Sequence, residues 1–407
     1  MPSVVDTVSV GGTPTYEQQC SLPAGALSTA LGGICSQSGP WLDRLLPFFA
    51  AHQASEPLVY FNVGANKGGR LRMPTPRAHT ARTRAAHAGA TGFNVAYILD
   101  LLRAISTPSN GAPVKNVSAP AWFAGLLQYA AEHGVARHQL GGHHGCGVCN
   151  ACRGTPARKL DTPSEVTVHA FEASMRLQAR TPRQQSTSRD QFILLTVSDV
   201  DRAPYRTVEA NAAWLAHAFR QFGVRGDVLG QPVTERSGPV RMTPGVQLGV
   251  ETGRVGQGDD KWLVWRNGTS IDDYLAASGV RRVHFLSIDA ELQDLVILQG
   301  SRHALANELI DVLEFEYNSQ ASGSLNETAH LLHSSGYSCW WQSGWAQAGC
   351  IYPVSGACWR DTFDCRITRR CVHVGNLVCA RARGRAGALL RDFSAECAQT
   401  RANASSG

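Results

Sequence analysis

Charge is scarce in this chain of 407 residues: charged side chains make up 17% of it, hydrophobic ones 43%. That balance excludes wholesale disorder, because enough apolar surface is present to offset the entropy of ordering the chain. The formal charge of +6 is small for the length, and the one local cluster of arginines runs from Arg70 to Arg84 (RLRMPTPRAHTARTR). It reads as a solvated loop, so no nucleic-acid partner is expected. No apolar run approaches the ~18–20 residues that span a bilayer, so no transmembrane segment is expected. The amino-terminal MPSVVDTVSVGG has neither a basic start nor a long apolar core. No secretory signal is therefore predicted, and a soluble protein of the cytoplasm is expected. Cysteine is not scarce; the 12 present leave the redox compartment open.

The organising stretch is LVYFNVGANKGG, Leu58 to Gly69. Leu58, Val59, Tyr60, Phe61 and Val63 suit a strand buried on both faces. Gly64, Ala65 and Gly68 then remove side-chain bulk where a backbone can press against a ligand. Later stretches repeat the pattern of an apolar strand that ends in polar or acidic residues: EVTVHAFEAS (165–174), QFILLTVSDV (191–200), VHFLSIDAE (283–291) and IDVLEFEYN (310–318). Two further strands are expected at YSCWWQSG from Tyr337 and at NLVCARA (376–382). Between the strands, helices are expected at 92–105, 121–134, 208–223, 270–279 (Ser270 as N-cap), after 292 and at 327–336. A helix over 41–51, interrupted by Pro47, precedes the first strand.

Alternating strands and helices predict an α/β chain with a mostly parallel sheet and helices on both faces. Asn66, Glu172, Asp199, Asp289 and Glu316 fall at strand carboxyl ends, which line the ligand crevice of such a sheet. Residues 1–40 read as an irregular lead-in and 41–382 as one domain. That domain holds insertions at 70–164 and about 200–245, and 383–407 form a C-terminal tail.

NVGANKG, VHAFEAS, FLSIDAELQDLVILQGSRHAL, IDVLEFEYN, GYSCWWQ and NLVCARA together resemble the FkbM family of S-adenosylmethionine-dependent methyltransferases. The likeness covers about 58–69, 165–200 and 245–382. It implies a Rossmann-like class I methyltransferase sheet, mostly parallel with an antiparallel C-terminal strand, helices on both faces and long insertions. It also implies methylation of a hydroxyl on a carbohydrate or other small metabolite. The chain departs from the family at two places. Asn62 stands where Asp is common, and Glu291-Leu292 replaces the usual Glu-Gly, which predicts an altered turn after the fourth strand.

S-adenosylmethionine makes distinct demands on a protein. Its ribose diol suits a carboxylate that accepts both hydroxyl protons, and Glu172 is the candidate. Its amino-acid end requires close backbone approach at Gly64, Ala65 and Gly68, with Asn62 and Asn66 as hydrogen-bonding partners. Ser198 and Asp199 are the candidates for the adenine edge. The Gly-x-x-x-Gly spacing differs from the G-x-G-x-x-G dinucleotide fingerprint and favours this cofactor over NAD. Asp289 and Glu291 are candidate bases for a hydroxyl acceptor, with a purely orienting role the alternative for Asp289. His284 reads as a packed strand residue rather than a base.

Cys146, Cys149 and Cys152, preceded by His143 and His144, have a spacing that suits structural zinc with His144 as fourth ligand; disulfides or free thiols are the alternatives. The same alternatives, without the metal, hold for Cys339, Cys350, Cys358, Cys365, Cys371 and Cys379. Trp340, Trp341, Trp345 and Trp359 are read as packing residues, with an acceptor pocket the other possibility. Two rival functions stay open: an NAD-binding oxidoreductase, and a non-catalytic binding protein with a zinc-stapled insertion.

Overall fold

The computed structural model describes residues 39–53, 57–64, 119–133, 166–171, 211–222, 224–243, 254–255, 264–290, 292–318, 321–342, 350–354 and 374–405. Its strands are β1 (Leu58–Val63), β2 (Val166–Phe171), β3 (Arg225–Leu229), β4 (Gly238–Thr243), β5 (Arg254–Val255), β6 (Val264–Gly268), β7 (Val283–Ile288), β8 (Ile310–Asn318), β9 (Tyr337–Gln342), β10 (Ile351–Pro353) and β11 (Val374–Arg381). Its helices are α1 (Gly39–Arg44), α2 (Leu46–Gln53), α3 (Ala119–Glu132), α4 (Asn211–Phe222), α5 (Ile271–Ser278), α6 (Asp294–Gln299), α7 (Arg302–Ala306), α8 (Leu325–Ser334) and α9 (Arg385–Ser405).

Eight strands form one sheet in the order β10-β9-β11-β8-β7-β1-β2-β3. β1 pairs in parallel with β2 and β7, β2 with β3, and β7 with β8. β11 runs antiparallel between β8 and β9. The chain therefore builds outward from β1 through β2 to β3, then returns to the other side of β1 to lay down β7 and β8. That reversal creates a topological switch point between β1 and β7, where a crevice opens outside the strand carboxyl ends. The sheet is mostly parallel, as its apolar strands predicted. β4, β5 and β6 form a separate antiparallel sheet within the chain between β3 and α5.

Both faces are covered, which is why β1 and β7 are nearly all apolar. On one face Trp41, Leu126, Trp214, Leu390 and Phe393, from α1, α3, α4 and α9, share a core with Tyr60, Val168, Phe285, Val312 and Val378. On the other, Ile271, Leu275, Leu295, Leu298, Leu305 and Leu332, from α5 to α8, pack on Phe61, Leu286, Leu313 and Leu377. Each such side chain taken from water contributes roughly 1.5–3 kcal/mol. Trp41 and Phe49 meet the edge of Phe285, on which Tyr60 stacks at 5.4 Å.

The single interrupted helix expected before β1 is two helices that break at Leu45. Pro47 sits in the first turn of α2, where its missing N–H costs nothing. Ser270 caps α5 by accepting the Asp273 amide, and Gly279 closes it at φ 70°. The third parallel strand of the described sheet, RGDVL, falls within the insertion expected at about 200–245. The helix expected over 92–105 and the strand over 191–200 lie outside the described residues, as does the lead-in to residue 38.

Residues set apart by sequence as a C-terminal tail form α9 up to Ser405. Ala386, Leu390, Phe393 and Cys397 recur at helical spacing and are buried. Among the described residues, two disulfides hold this part of the chain. Cys339–Cys379 joins directly opposed residues of β9 and β11, and Cys350–Cys397 ties α9 to the segment entering β10. No helix among the described residues is long and apolar enough to cross a membrane.

Candidate functional site

The carboxyl ends of the three central strands are laced together. The Asp289 amide donates to the Val63 carbonyl at 2.9 Å, and the Gly64 amide donates to the Phe171 carbonyl at 3.0 Å. β7, β1 and β2 thus end at one level. Gly64 has φ 67°, and a Cβ there would stand 1.9 Å from the Asp289 carbonyl oxygen. Only glycine lets β1 turn out of the sheet so close to β7.

In the turn and helix that follow β7, Asp289 and Asp294 are buried carboxyls among the described residues. Asp294 Oδ2 accepts the Ala290 amide at 3.3 Å and Oδ1 accepts the Glu316 amide at 3.2 Å. One side chain therefore fastens the end of β7 to the end of β8. Burial, reinforced by the neighbouring charge of Asp289, pushes the Asp294 carboxyl up to about 8. It keeps its proton near neutral pH, so the two carboxyls need not both be charged.

This has a sign for stability. The native state holds a proton on Asp294 that the unfolded chain releases near pH 4. Stability therefore falls as pH rises from about 4 to about 8. Asp294→Asn leaves one backbone amide without its acceptor, a cost of about 1–2 kcal/mol at pH 5. That deficit is expected to shrink as pH rises toward 8, because the variant carries no ionisation penalty. Urea melts across pH 5–9 measure it; a deficit that stays constant contradicts the buried-proton assignment.

In the turn after β7, Leu292 adopts φ 75°, the left-handed conformation that glycine favours. Its surroundings hold it there. Leu292 is buried, and its carbonyl accepts the Ser322 amide at 2.8 Å. Gln293 adds a bond to Ser322 Oγ at 3.1 Å.

A row of buried polar side chains crosses the face that carries Tyr60. Asn62, Ser287 and Glu314 are register neighbours on β1, β7 and β8. Asn62 Nδ2 donates to the Tyr60 hydroxyl, which also hydrogen-bonds Ser287. Burial raises the Tyr60 phenol well above its ordinary range, so it stays protonated. Gln342 Nε2 and Asn376 Nδ2 both donate to Glu314 Oε1, at 2.9 and 3.2 Å. Asn62 Oδ1 and Gln342 Oε1 are buried and find no hydrogen-bond partner among the described residues.

Of the residues singled out by sequence, Asn62, Gly64 and Asp289 are brought together at the switch point. Ala65, Asn66, Gly68, Glu172, Ser198, Asp199 and Glu291 lie outside the described residues. So do His143, His144, Cys146, Cys149 and Cys152; no cluster of three or more metal-ligating side chains occurs among the described residues. His284 is buried near the amino end of β7, away from the crevice, and its Nδ1 accepts the Val59 amide at 3.0 Å. It is a packed histidine. Trp340 and Trp341 are also buried in the two cores.

Sequence reading missed Asp294, Ser287, Glu314, Asn376 and Gln342. Glu314 alone left a signal: it interrupts the apolar run of IDVLEFEYN two residues before Glu316. A carboxylate inside a strand buried on both faces has to be held by partners.

The chain matches no family model, no curated protein and no solved structure.

Proposed function

We propose that this chain is an S-adenosylmethionine-dependent methyltransferase of the class I, Rossmann-like kind that methylates a hydroxyl on a carbohydrate or small metabolite. The observation that carries the reading is the switch point. β1 ends in a glycine turn locked against β7, with a buried carboxyl at the end of β7 and the order of strands reversing between them. The antiparallel β11 agrees with the C-terminal strand that the FkbM resemblance implies.

The residues present fit the cofactor. Asn62 Oδ1 is a buried acceptor without a partner among the described residues, two positions before Gly64. An unpaired acceptor suits the ammonium of an amino-acid end. Glu172 follows the last residue of β2 and remains the residue expected at the ribose diol; Ser198 and Asp199 remain those for adenine. When bound, the cofactor supplies an electrophilic methyl group and most of the driving force.

The protein's part is alignment, which supplies up to ~7–11 kcal/mol, and a base for the acceptor hydroxyl. Asp289 serves as that base or orients the hydroxyl. Asp294, holding its own proton and two backbone amides, positions Asp289 and the turn that carries Glu291. The Cys146–Cys149–Cys152 cluster with His144 remains a candidate structural zinc site, with disulfides or free thiols the alternatives. The cytoplasm was expected for want of a signal; the two disulfides favour a compartment where thiols are oxidised.

Calorimetry with S-adenosylmethionine, S-adenosylhomocysteine and NAD tests the reading. Both S-adenosyl compounds are expected to bind, NAD is not, and Glu172→Ala is expected to weaken the former at least about tenfold, the loss of one charge-assisted hydrogen bond or more. Tight NAD binding would favour an oxidoreductase and sink this proposal.

A further inference from the structure

Two strands beyond Asn62, the polar row reaches a second group that the methyl-transfer chemistry leaves unused. Glu314, Gln342 and Asn376 converge there from β8, β9 and β11, all buried. The amide nitrogens of Gln342 and Asn376 each direct one hydrogen at Glu314 Oε1. The acceptors are in excess where these groups meet: a carboxylate, and Gln342 Oε1 without a partner among the described residues. No cation pairs with Glu314 among the described residues.

A carboxylate and an orphan carbonyl held in a core are costly unless a donor completes them. An apolar side chain at either position serves packing better, as the surrounding Val312, Trp340 and Val378 do. The completing group must donate hydrogen bonds, and the charge of Glu314 favours one that is positive. Neighbouring strands lie ~4.8 Å apart, so Glu314 is about 10 Å across the sheet from Asn62. That is within the reach of one small molecule extending along the crevice edge.

We infer that Glu314, Gln342 and Asn376 form a subsite for a protonated amine on the acceptor molecule, which narrows the acceptor class from hydroxyl compounds in general to amino alcohols and amino sugars. The inference rests on the crevice reading above. Glu314 supplies the charge, Gln342 Oε1 a further acceptor, and Asn376 holds the Glu314 carboxylate in place.

The test uses the full chain and three probe amines, each beside a neutral counterpart: ethanolamine and ethylene glycol, putrescine and 1,4-butanediol, glucosamine and glucose. Calorimetry at pH 7 is expected to show at least one amine binding about tenfold or more tightly than its counterpart. Glu314→Gln is expected to erase that preference while leaving S-adenosylhomocysteine binding within about twofold of wild type. Should Glu314→Gln lose its fold by circular dichroism, Gln342→Met removes the orphan acceptor and is expected to reduce the preference likewise. No amine outbinding its counterpart, or a preference that survives in the folded variant, overturns the subsite. S-adenosylhomocysteine binding without an amine preference sinks the subsite alone. An amine preference without S-adenosyl binding sinks the methyltransferase reading alone.

Discussion

Gly64→Ala is expected to destabilise the protein by about 3 kcal/mol or more and to abolish whatever binding the crevice supports. Two costs add. A non-glycine residue at φ 67° pays about 1–2 kcal/mol for the left-handed conformation. The added Cβ would stand 1.9 Å from the Asp289 carbonyl oxygen and 2.7 Å from its carbon. That overlap is with backbone, so no rotamer relieves it. β1 and β7 must separate, and overpacking of this kind adds about 1–3 kcal/mol. Separation also breaks the Asp289 amide bond to Val63, which aligns the strand ends. Urea denaturation with tryptophan fluorescence measures the first effect and calorimetry the second. A variant within about 0.5 kcal/mol of wild type, the scatter expected for surface changes, would mean that this turn is not under the stated constraint.

Asp311→Ala is expected to cost about 2–4 kcal/mol with no direct effect at the crevice. Asp311 is buried at the amino end of β8, opposite the ligand edge of the sheet. Arg282 holds it in a two-pronged grip, Nε to Oδ2 at 2.8 Å and Nη2 to Oδ1 at 2.6 Å. Arg381 adds Nη2 to Oδ1 at 2.7 Å and bonds Glu308 through Nη1 at 3.0 Å. The carboxylate thereby ties the entry to β7 and the exit of β11 to β8. Removing one partner of a buried pair typically costs 3–5 kcal/mol. The estimate is set lower because both arginines keep partial access to water. The denaturation midpoint should fall with an unchanged slope, and S-adenosylhomocysteine affinity of the folded fraction should match wild type. A loss of that affinity would show that the two ends of the sheet are coupled.

The framework of the fold was legible because its signals are local. IDVLEFEYN and LVYFNV became strands over the residues that their apolar patterns marked, and Ser270 began a helix as a capping serine should. Position in the sheet was less legible. Arg225–Leu229 has exposed charged residues and a glycine, and it becomes a strand only because β2 offers it an edge. Arg385–Ser405 was set apart as a tail although Ala386, Leu390, Phe393 and Cys397 mark a buried face, and its helix is pinned in part by the bond from Cys397 to Cys350.

At the site, Asn62, Gly64 and Asp289 were legible as a strand ending in small and polar residues. The left-handed conformation of Leu292 was not legible, because sequence marks glycine for such a backbone, whereas burial and the Ser322 bond hold a leucine in it here. The polar row was missed for a different reason. Glu314, Asn376 and Gln342 lie far apart in sequence on three strands, and only the order β8-β11-β9 brings them together.

The most direct measurement is a crystal structure of the protein grown with S-adenosylhomocysteine. The account predicts the ligand across the carboxyl ends of β2, β1 and β7, its amino-acid end beside Gly64 with its ammonium on Asn62 Oδ1, and its ribose diol on Glu172. Ligand bound elsewhere on the chain, or a switch point occupied by NAD but never by S-adenosylhomocysteine, would contradict it.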